Sequence, residues 1–387
     1  MRFVLITLFS IPSLLYGQEY YPMAKILEKE TKNVKVLDLS FLSPKQFPDS
    51  LEYLPKLEEL HLFYNELCSL PQEFKGLKNL KELNLFENLL VDIPNSIGQL
   101  KNLEVLGLGT NKIKDFPQNI LQLKTLKELD LSTNQLSNLT DQLGQLKKLE
   151  VLNLSNNQLT SIPTCIGTLK NLKVLNLSNN QLDSIPQSIG HLKNLEQLIL
   201  TKNNISSLPQ SISKLQNLET LTIKGNSIDT LHQSISKLKK LREIDFEKQL
   251  APSVRTFFPK LYSYRSLKEA LINPKLVYSL AIIYKDSISD FSLLDRFVNL
   301  ERLYIFSHQI KAIPNSILEL KQLKSLGLIG MNIKTLPKDI NRLTQLEDLW
   351  LKAPSLDSFP KSFGLLKNLK RLNLQSLKIS KMPDIIG

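Results

Sequence analysis

Along most of the chain leucine and isoleucine recur in one fixed arrangement, seen from Leu77 to Gln99 as LKNLKELNLFENLLVDIPNSIGQ. Leu80, Leu83 and Leu85 hold the apolar positions of a short stretch in which Asn84 and Phe86 take the alternate places. Alternation with period two predicts a strand whose leucines face inward. Leu90, Ile93, Ile97 and Leu100 follow at wider spacing around Pro94, which predicts a turn and a return segment beneath the strand. The arrangement recurs every 23 residues, from Val34 through Leu57, Leu80, Leu103, Leu126, Leu149, Leu172, Leu195, Leu218 and Leu241. It resumes at Val277, Leu300, Leu323, Leu346 and Leu369.

A fixed period of this length predicts a solenoid, because one such unit has too few apolar groups to offset its own ordering entropy and must stack on its neighbours. Two further columns support the register. Asn65, Asn88, Asn111, Asn134, Asn157, Asn180, Asn203 and Asn226 fall where each strand should end, and a buried amide there can bond the backbone of adjacent coils. The second block has Lys285, His308, Met331, Pro354 and Leu377 at that position, so the ladder should stop near Asn226. One residue after each leading apolar position, Lys35, Glu58, Lys81, Glu104, Lys127, Glu150, Lys173 and Glu196 alternate in sign, as do Glu301, Lys324, Glu347 and Lys370. Parallel stacking makes these residues attractive neighbours.

The repeats are interrupted between Leu241 and Val277, where Tyr264 to Ile282 (YRSLKEALINPKLVYSLAI) aligns without gaps with Tyr21 to Leu39 (YPMAKILEKETKNVKVLDL). Both read as short helices covering the first coil of an array. The predicted organisation is a signal peptide at 1–17, a cap helix at 18–33, a first array at 34–250, a linker and second cap at 251–276, and a second array at 277–387. The alternative is a single array with an inserted loop.

Units of the form LPxxIGxLKNLxxLxLxxNxL, together with the lead-in YxxxxxALxNPxxVxxL, resemble the secreted leucine-rich-repeat proteins of the leptospiral group. The resemblance covers nearly all of the chain beyond its first residues. It implies an α/β solenoid: a leucine-rich-repeat horseshoe with a parallel β-sheet on the concave face, about 15 repeats in two tandem arrays, and short N-terminal capping helices. It also implies a host-facing or surface-associated binding protein. The second block departs from the family pattern at its missing asparagines.

Met1 and Arg2 followed by the apolar run Phe3 to Tyr16 read as an export signal, since the run is shorter than the roughly 20 residues of a spanning helix and contains Pro12. Export leads to the periplasm, the cell surface or the medium, with no membrane insertion once the signal is removed. Cys68 and Cys165 fall four coils apart, roughly 19 Å at the spacing of stacked strands, and should remain separate thiols. The chain ends at Gly387 without a polar closing segment, which predicts an open apolar edge that a second copy or a partner could cover, or a truncated product.

The net charge of +12 matters through its placement. Lys78, Lys101, Lys124, Lys147, Lys170 and Lys193 stand one per coil just before each strand and form a basic ridge, which serves either as a solvated edge or as a site for an acidic glycan. Gly107, Gly109, Asp130, Ser132, Asn153, Ser155, Asn176 and Ser178 predict a hydrophilic middle on the outward strand face. Aromatic residues gather at the flanks: Phe41, His61, Phe63, Tyr64 and Phe86 in the first array, and Ile283, Tyr284, Tyr304, Phe306, Ile329 and Trp350 in the second. Exposed aromatics on one wall are typical interface centres, and the second group is the favoured site; its alternative is an inward turn into the core.

No nucleophile elbow, phosphate loop or dinucleotide fingerprint occurs. His61, His191, His232 and His308 lie in different columns and share no metal-ligand spacing. Cys165 with His191 is the only nucleophile and base pair of any promise, in a setting where apolar positions serve stacking. The sequence therefore predicts no catalytic set, no metal, no cofactor and no nucleic-acid partner. It predicts a non-enzymatic scaffold for a protein ligand, with polyanion binding on the lysine ridge, or self-association of an envelope component through the C-terminal edge, as alternatives.

Overall fold

The computed structural model describes residues 33–43, 45–46, 51, 54–72, 74, 76–283, 291–308 and 310–375. The expected signal peptide, the first cap helix up to residue 32, Tyr284, Lys285, Leu377 and the chain end lie outside the described residues. Two compact units are present, Met1–Leu250 and Ala251–Gly387.

In the first unit each coil contributes one three-residue strand: β1 (Val36–Asp38), β2 (Glu59–His61), β3 (Glu82–Asn84), β4 (Val105–Gly107), β5 (Glu128–Asp130), β6 (Val151–Asn153), β7 (Val174–Asn176), β8 (Gln197–Ile199), β9 (Thr220–Thr222) and β10 (Glu243–Asp245). All ten pair in parallel and in chain order. The register is the 23-residue period itself, so Leu83 stands beside Leu60 and Leu106. Leu80, Leu83, Leu85, Leu90, Ile97 and Leu100 of one coil are all buried, and the same positions are buried in its neighbours. The return segments are short 3-10 turns such as Asn95–Gln99 and Thr164–Thr168, entered through Pro94 and Pro163 in extended geometry. Proline fixes φ near the needed value and lacks an N–H that would otherwise need a partner there. At Gly167 and Gly190 the coils touch backbone to backbone: a Cβ would lie 2.4 Å from the carbonyl oxygens of Ser188 and Ser211, so no larger residue fits without moving a coil.

The asparagines make the same bonds in coil after coil. Asn134 Nδ2 donates to the carbonyls of Leu108 at 2.9 Å and Leu131 at 3.2 Å, while its Oδ1 accepts from the Ile113 N–H at 3.0 Å. Asn157 repeats this with Leu131, Leu154 and Leu136, and the pattern runs from Asn65 to Asn226. Each side chain therefore ties its own coil to the preceding one through three bonds. The residue just before the asparagine is left-handed, with φ of 54° at Tyr64, 53° at Glu87, 56° at Thr110 and 74° at Gly225. That turn brings the amide inward.

The second unit lacks the asparagines and builds longer strands: β11 (Ser279–Ile283), β12 (Arg302–Phe306), β13 (Ser325–Ile329), β14 (Asp348–Lys352) and β15 (Arg371–Gln375), again parallel and in chain order. Met331, fully buried at a ladder position, fills the space with an apolar side chain. Gly330, with φ of 77°, keeps the left-handed turn before Met331, so the turn persists where the amide is gone. The unit opens on the helices Ala251–Phe257 and Leu267–Ala270. Tyr264 bridges in parallel to Leu280, its N–H donating to the Ser279 carbonyl at 2.9 Å, so a backbone segment lies along the free edge of β11. Arg255 holds Glu269 at 2.9 Å and lies over the Tyr262 and Tyr264 rings. Tyr262 donates to Glu269 at 3.1 Å; burial, and then that carboxylate, push its phenol up to about 12.

A second amide column, absent from the sequence expectations, runs along the surface of both units. Asn79, Asn102, Asn171, Asn194, Asn217, Asn299 and Asn368 each donate to a carbonyl 24 residues earlier, at 2.7 to 2.9 Å. The alternating charges also meet: Glu58 lies 2.5 Å from Lys35 and 2.6 Å from Lys81, and Lys127–Glu104 and Lys173–Glu150 close to 2.6 Å. In the second unit Lys324–Glu301 and Lys370–Glu347 close to 3.4 and 2.9 Å.

Two outcomes follow for stability. Asn157→Ala should cost about 2 to 4 kcal/mol in chemical denaturation, because it strands a buried N–H and two carbonyls, whereas Asn171→Ala on the exposed column should cost less than about 1 kcal/mol. Equal costs would remove the distinction between the columns. The hydrogen bonds from Lys35 and Lys81 hold the Glu58 carboxyl at about 2, below its ordinary 4.5. A depressed folded value means stability that is complete above 4.5 and lost as pH falls through about 2. Carboxyl NMR titration of Glu58 should therefore show a midpoint near 2, and Glu58→Gln should flatten the pH dependence of stability across that window.

Candidate functional site

On the sheet of the second unit, outward positions form three columns across the parallel register. Ser279, Arg302, Ser325, Asp348 and Arg371 make the first; Ala281, Tyr304, Gly327, Trp350 and Asn373 the second; Ile283, Phe306, Ile329, Lys352 and Gln375 the third. Strand alternation sends these side chains away from the leucine core. Trp350 is 38% exposed, Phe306 36% and Ile283 46%, while Tyr304 and Ile329 are half-buried. The predicted residues Tyr304, Phe306, Ile329 and Trp350 therefore share one face, and the inward turn into the core does not occur.

Between Tyr304 and Trp350 the sheet carries only Gly327. A Cβ there would lie 2.4 Å from the Tyr304 ring, so the glycine lets that ring lie flat across β13. The Tyr304 hydroxyl reaches the Ser325 hydroxyl at 3.1 Å and fixes the ring's direction. Beside it opens a cavity of about 490 Å³, lined by Tyr304, Ser325, Asp348, Leu349, Trp350, Arg371, Leu372 and Asn373. Its size falls in the range of ligand clefts, roughly 300 to 1,000 Å³. Arg371 grips Asp348 through two bonds, Nε at 2.5 Å and Nη2 at 2.7 Å, and this guanidinium lowers the Asp348 carboxyl below its usual range. The site thus joins an aromatic wall to a fixed ion pair. Arg371, Asp348, Asn373 and Gly327 were missed from sequence, although they stand in the same outward columns as Tyr304 and Trp350.

The first unit presents another aromatic group. Phe41 stacks on Tyr64 at 4.8 Å and meets Phe63 edge-on at 5.2 Å, and Phe86 follows at 6.3 Å from Tyr64. Phe41 and Tyr64 are exposed, Phe63 and Phe86 half-buried. Beside them the strand face is acidic: Asp38, Glu59, Glu82, Glu128, Asp130, Glu243 and Asp245 occupy outward strand positions, and no Lys or Arg does. The hydrophilic middle is less open than its polarity suggests. Ser132 and Ser155 are buried, as is Gly109, because the stacked coils close over that column; Asp130, Asn153 and Asn176 stay half-exposed.

The six ridge lysines are all exposed. Several ammonium groups already serve the next coil, Lys124 donating to Gln145 Oε1 at 2.9 Å, Lys170 to the His191 carbonyl at 3.3 Å and Lys193 to the Lys214 carbonyl at 2.9 Å, while Lys170 also bonds the Gly167 carbonyl of its own coil at 2.6 Å. Cys68 and Cys165 are free thiols. Cys165 donates to the Thr140 carbonyl at 3.8 Å, and burial raises its thiol, which is the wrong direction for a nucleophile. His61 lies 3.9 Å from Glu59 and 3.8 Å from Glu82, and His232 caps a turn by accepting from the Ser234 N–H. Among the described residues no group of His, Cys, Asp and Glu could hold a metal ion.

Comparison with known proteins gives these coils a family. A leucine-rich-repeat region model matches residues 23–159, a model of two leucine-rich repeats matches 147–191, and a leucine-rich-repeat model matches 193–248. The structure of a leucine-rich-repeat protein from Leptospira interrogans is 32% identical, covering 96% of this chain and 91% of that one, with a TM-score of 0.53. The chain is a leucine-rich-repeat protein. The functional domain of InlJ from Listeria monocytogenes has the same fold at 20% identity, with 90% and 69% coverage and a TM-score of 0.52. So does a plant peptide hormone receptor, RGFR1, at 22% identity and a TM-score of 0.51, with 92% of this chain aligned to 61% of the receptor. No curated protein matches the chain. Leucine-rich-repeat proteins typically act as scaffolds for protein interaction, and no described helix is long and apolar enough to cross a membrane.

Trp350 is the sole tryptophan of this leucine-rich-repeat protein, so intrinsic fluorescence reads the cavity directly. Acrylamide should quench the native emission at a substantial fraction of the rate seen for the unfolded chain. Near-complete protection from acrylamide would place Trp350 inside the core instead.

Proposed function

We propose that the protein is an exported interaction scaffold that binds a protein partner, from a host or a cell surface, through the aromatic wall of its second unit. The carrying observation is that Tyr304, Phe306, Ile329 and Trp350 share one outward face, with the Tyr304 ring laid across Gly327, next to the cavity. Solvent-exposed aromatics on one rigid sheet face are the residues most often central to interfaces. Export rests on the apolar N-terminal run in the sequence, and residues 251–276 act in this reading as the cap of the second array. Polyanion binding on the lysine ridge is the weaker reading, because ridge ammonium groups are engaged by carbonyls and amides of the next coil.

The test is capture of partners from host extracellular material by the intact protein and by a Trp350→Ala, Tyr304→Ala double variant. The double variant should lose the captured protein at least tenfold at both low and moderate salt. Capture that is unchanged in the double variant overturns the reading, and its collapse with salt in that variant would move the site to the ridge.

A further inference from the structure

The cavity has a chemistry narrower than aromatic contact. Tyr304 and Trp350 stand two strands apart, roughly 10 Å at sheet spacing, and the Tyr304 ring lies across Gly327 between them. That flat ring beside the Trp350 indole offers a face for one flat or branched apolar side chain. The charges around it are unbalanced: Arg302, Lys352 and Arg371 occupy outward strand positions against the single carboxylate Asp348. Lys352 lies two residues beyond Trp350 on the same strand face, is exposed, and forms no ion pair among the described residues. Arg371 spends two of its donors on Asp348 yet remains largely exposed, with its other guanidinium nitrogen, Nη1, outside that bond pair. The first two columns of the first unit's sheet face have the opposite sign, seven carboxylates and no Lys or Arg, and Lys224 and Glu247 offset each other in its third.

We propose that this cavity is the anchor pocket for an extended acidic peptide segment of the partner, with one apolar side chain packed on the Tyr304 ring against Trp350 and flanking carboxylates on Lys352 and Arg371. An exposed strand face supplies a rigid floor, so an extended segment loses little on docking beyond its own ordering. The charge contrast gives selectivity: the same segment would be repelled by the carboxylates of the first unit. The proposal rests on the aromatic-wall reading and sharpens it to a ligand class.

The probes are blocked hexapeptides without tryptophan, read by Trp350 emission in the full-length protein: a central phenylalanine flanked by aspartates, the same peptide flanked by lysines, and an aspartate-flanked peptide with central alanine. The first should shift or quench the emission with saturation, and the other two should bind at least tenfold more weakly. Lys352→Glu, an exposed change that spares the cavity wall, should weaken the aspartate-flanked peptide at least fivefold, as should Gly327→Val, which pushes the Tyr304 ring off β13. Phe41→Ala in the first unit should change nothing. Equal response to the aspartate-flanked and lysine-flanked peptides overturns the proposal, as does an emission change produced only by neutral oligosaccharides. Should partner capture be lost in the Trp350→Ala, Tyr304→Ala variant while none of the peptides binds, the acidic-anchor chemistry fails and the aromatic-wall reading stands.

Discussion

Each coil of the first unit ends its strand after three residues, and the turn that follows points backbone N–H and carbonyl groups into an apolar interior. A buried group of that kind costs roughly 1 to 3 kcal/mol if left without a partner. One asparagine per coil meets the cost by donating to two carbonyls and accepting one N–H, as Asn134 does with Leu108, Leu131 and Ile113. The leucine column could stack in several registers, but only a 23-residue advance lets every amide find all three partners. Burial supplies the attraction and the asparagines fix where the coils lock.

Removing that device changes the sheet. In the second unit Met331 occupies a ladder position, strands lengthen to five residues, and more outward side chains per coil stand on regular backbone. The third outward column carries Ile283, Phe306, Ile329 and Lys352, where the first unit has Phe63, Phe86, Gly109 and Ser132 at the corresponding places. The first unit keeps its ladder and narrow strands, and its face carries carboxylates together with a compact aromatic stack around Phe41 and Tyr64.

The fold was largely legible because its determinants repeat. Leu83, Leu106 and Leu129 hold the same place in successive coils, so one correct assignment placed all of them, and the charge column from Lys35 to Glu196 fixed the register independently. The site was legible only in part. Tyr304 and Trp350 were chosen as aromatics in outward positions, but Asp348, Arg371 and Gly327 draw their meaning from side-chain contacts between strands 23 residues apart, such as the grip of Arg371 on Asp348. The lysine ridge was legible as an exposed column, but not that some of its side chains reach backbone carbonyls, as Lys170 and Lys193 do. The surface asparagines at Asn102 and Asn171 were in plain view within each LKNL-type motif and were passed over, because exposed polar residues at a strand's edge give no apolar signal to follow.

Backbone hydrogen exchange, resolved amide by amide, tests the central claim most directly. The N–H groups of Leu67, Leu90, Ile113, Leu136, Leu159 and Leu182 lie outside every strand and donate to asparagine Oδ1 atoms at 3.0 to 3.1 Å. If the amide ladder locks the coils, these protons exchange as slowly as those of Leu85 and Leu108, which donate to backbone carbonyls of the neighbouring coil. Exchange faster by orders of magnitude, at rates typical of open loops, would show that leucine packing alone holds the coils and that the asparagines are passengers.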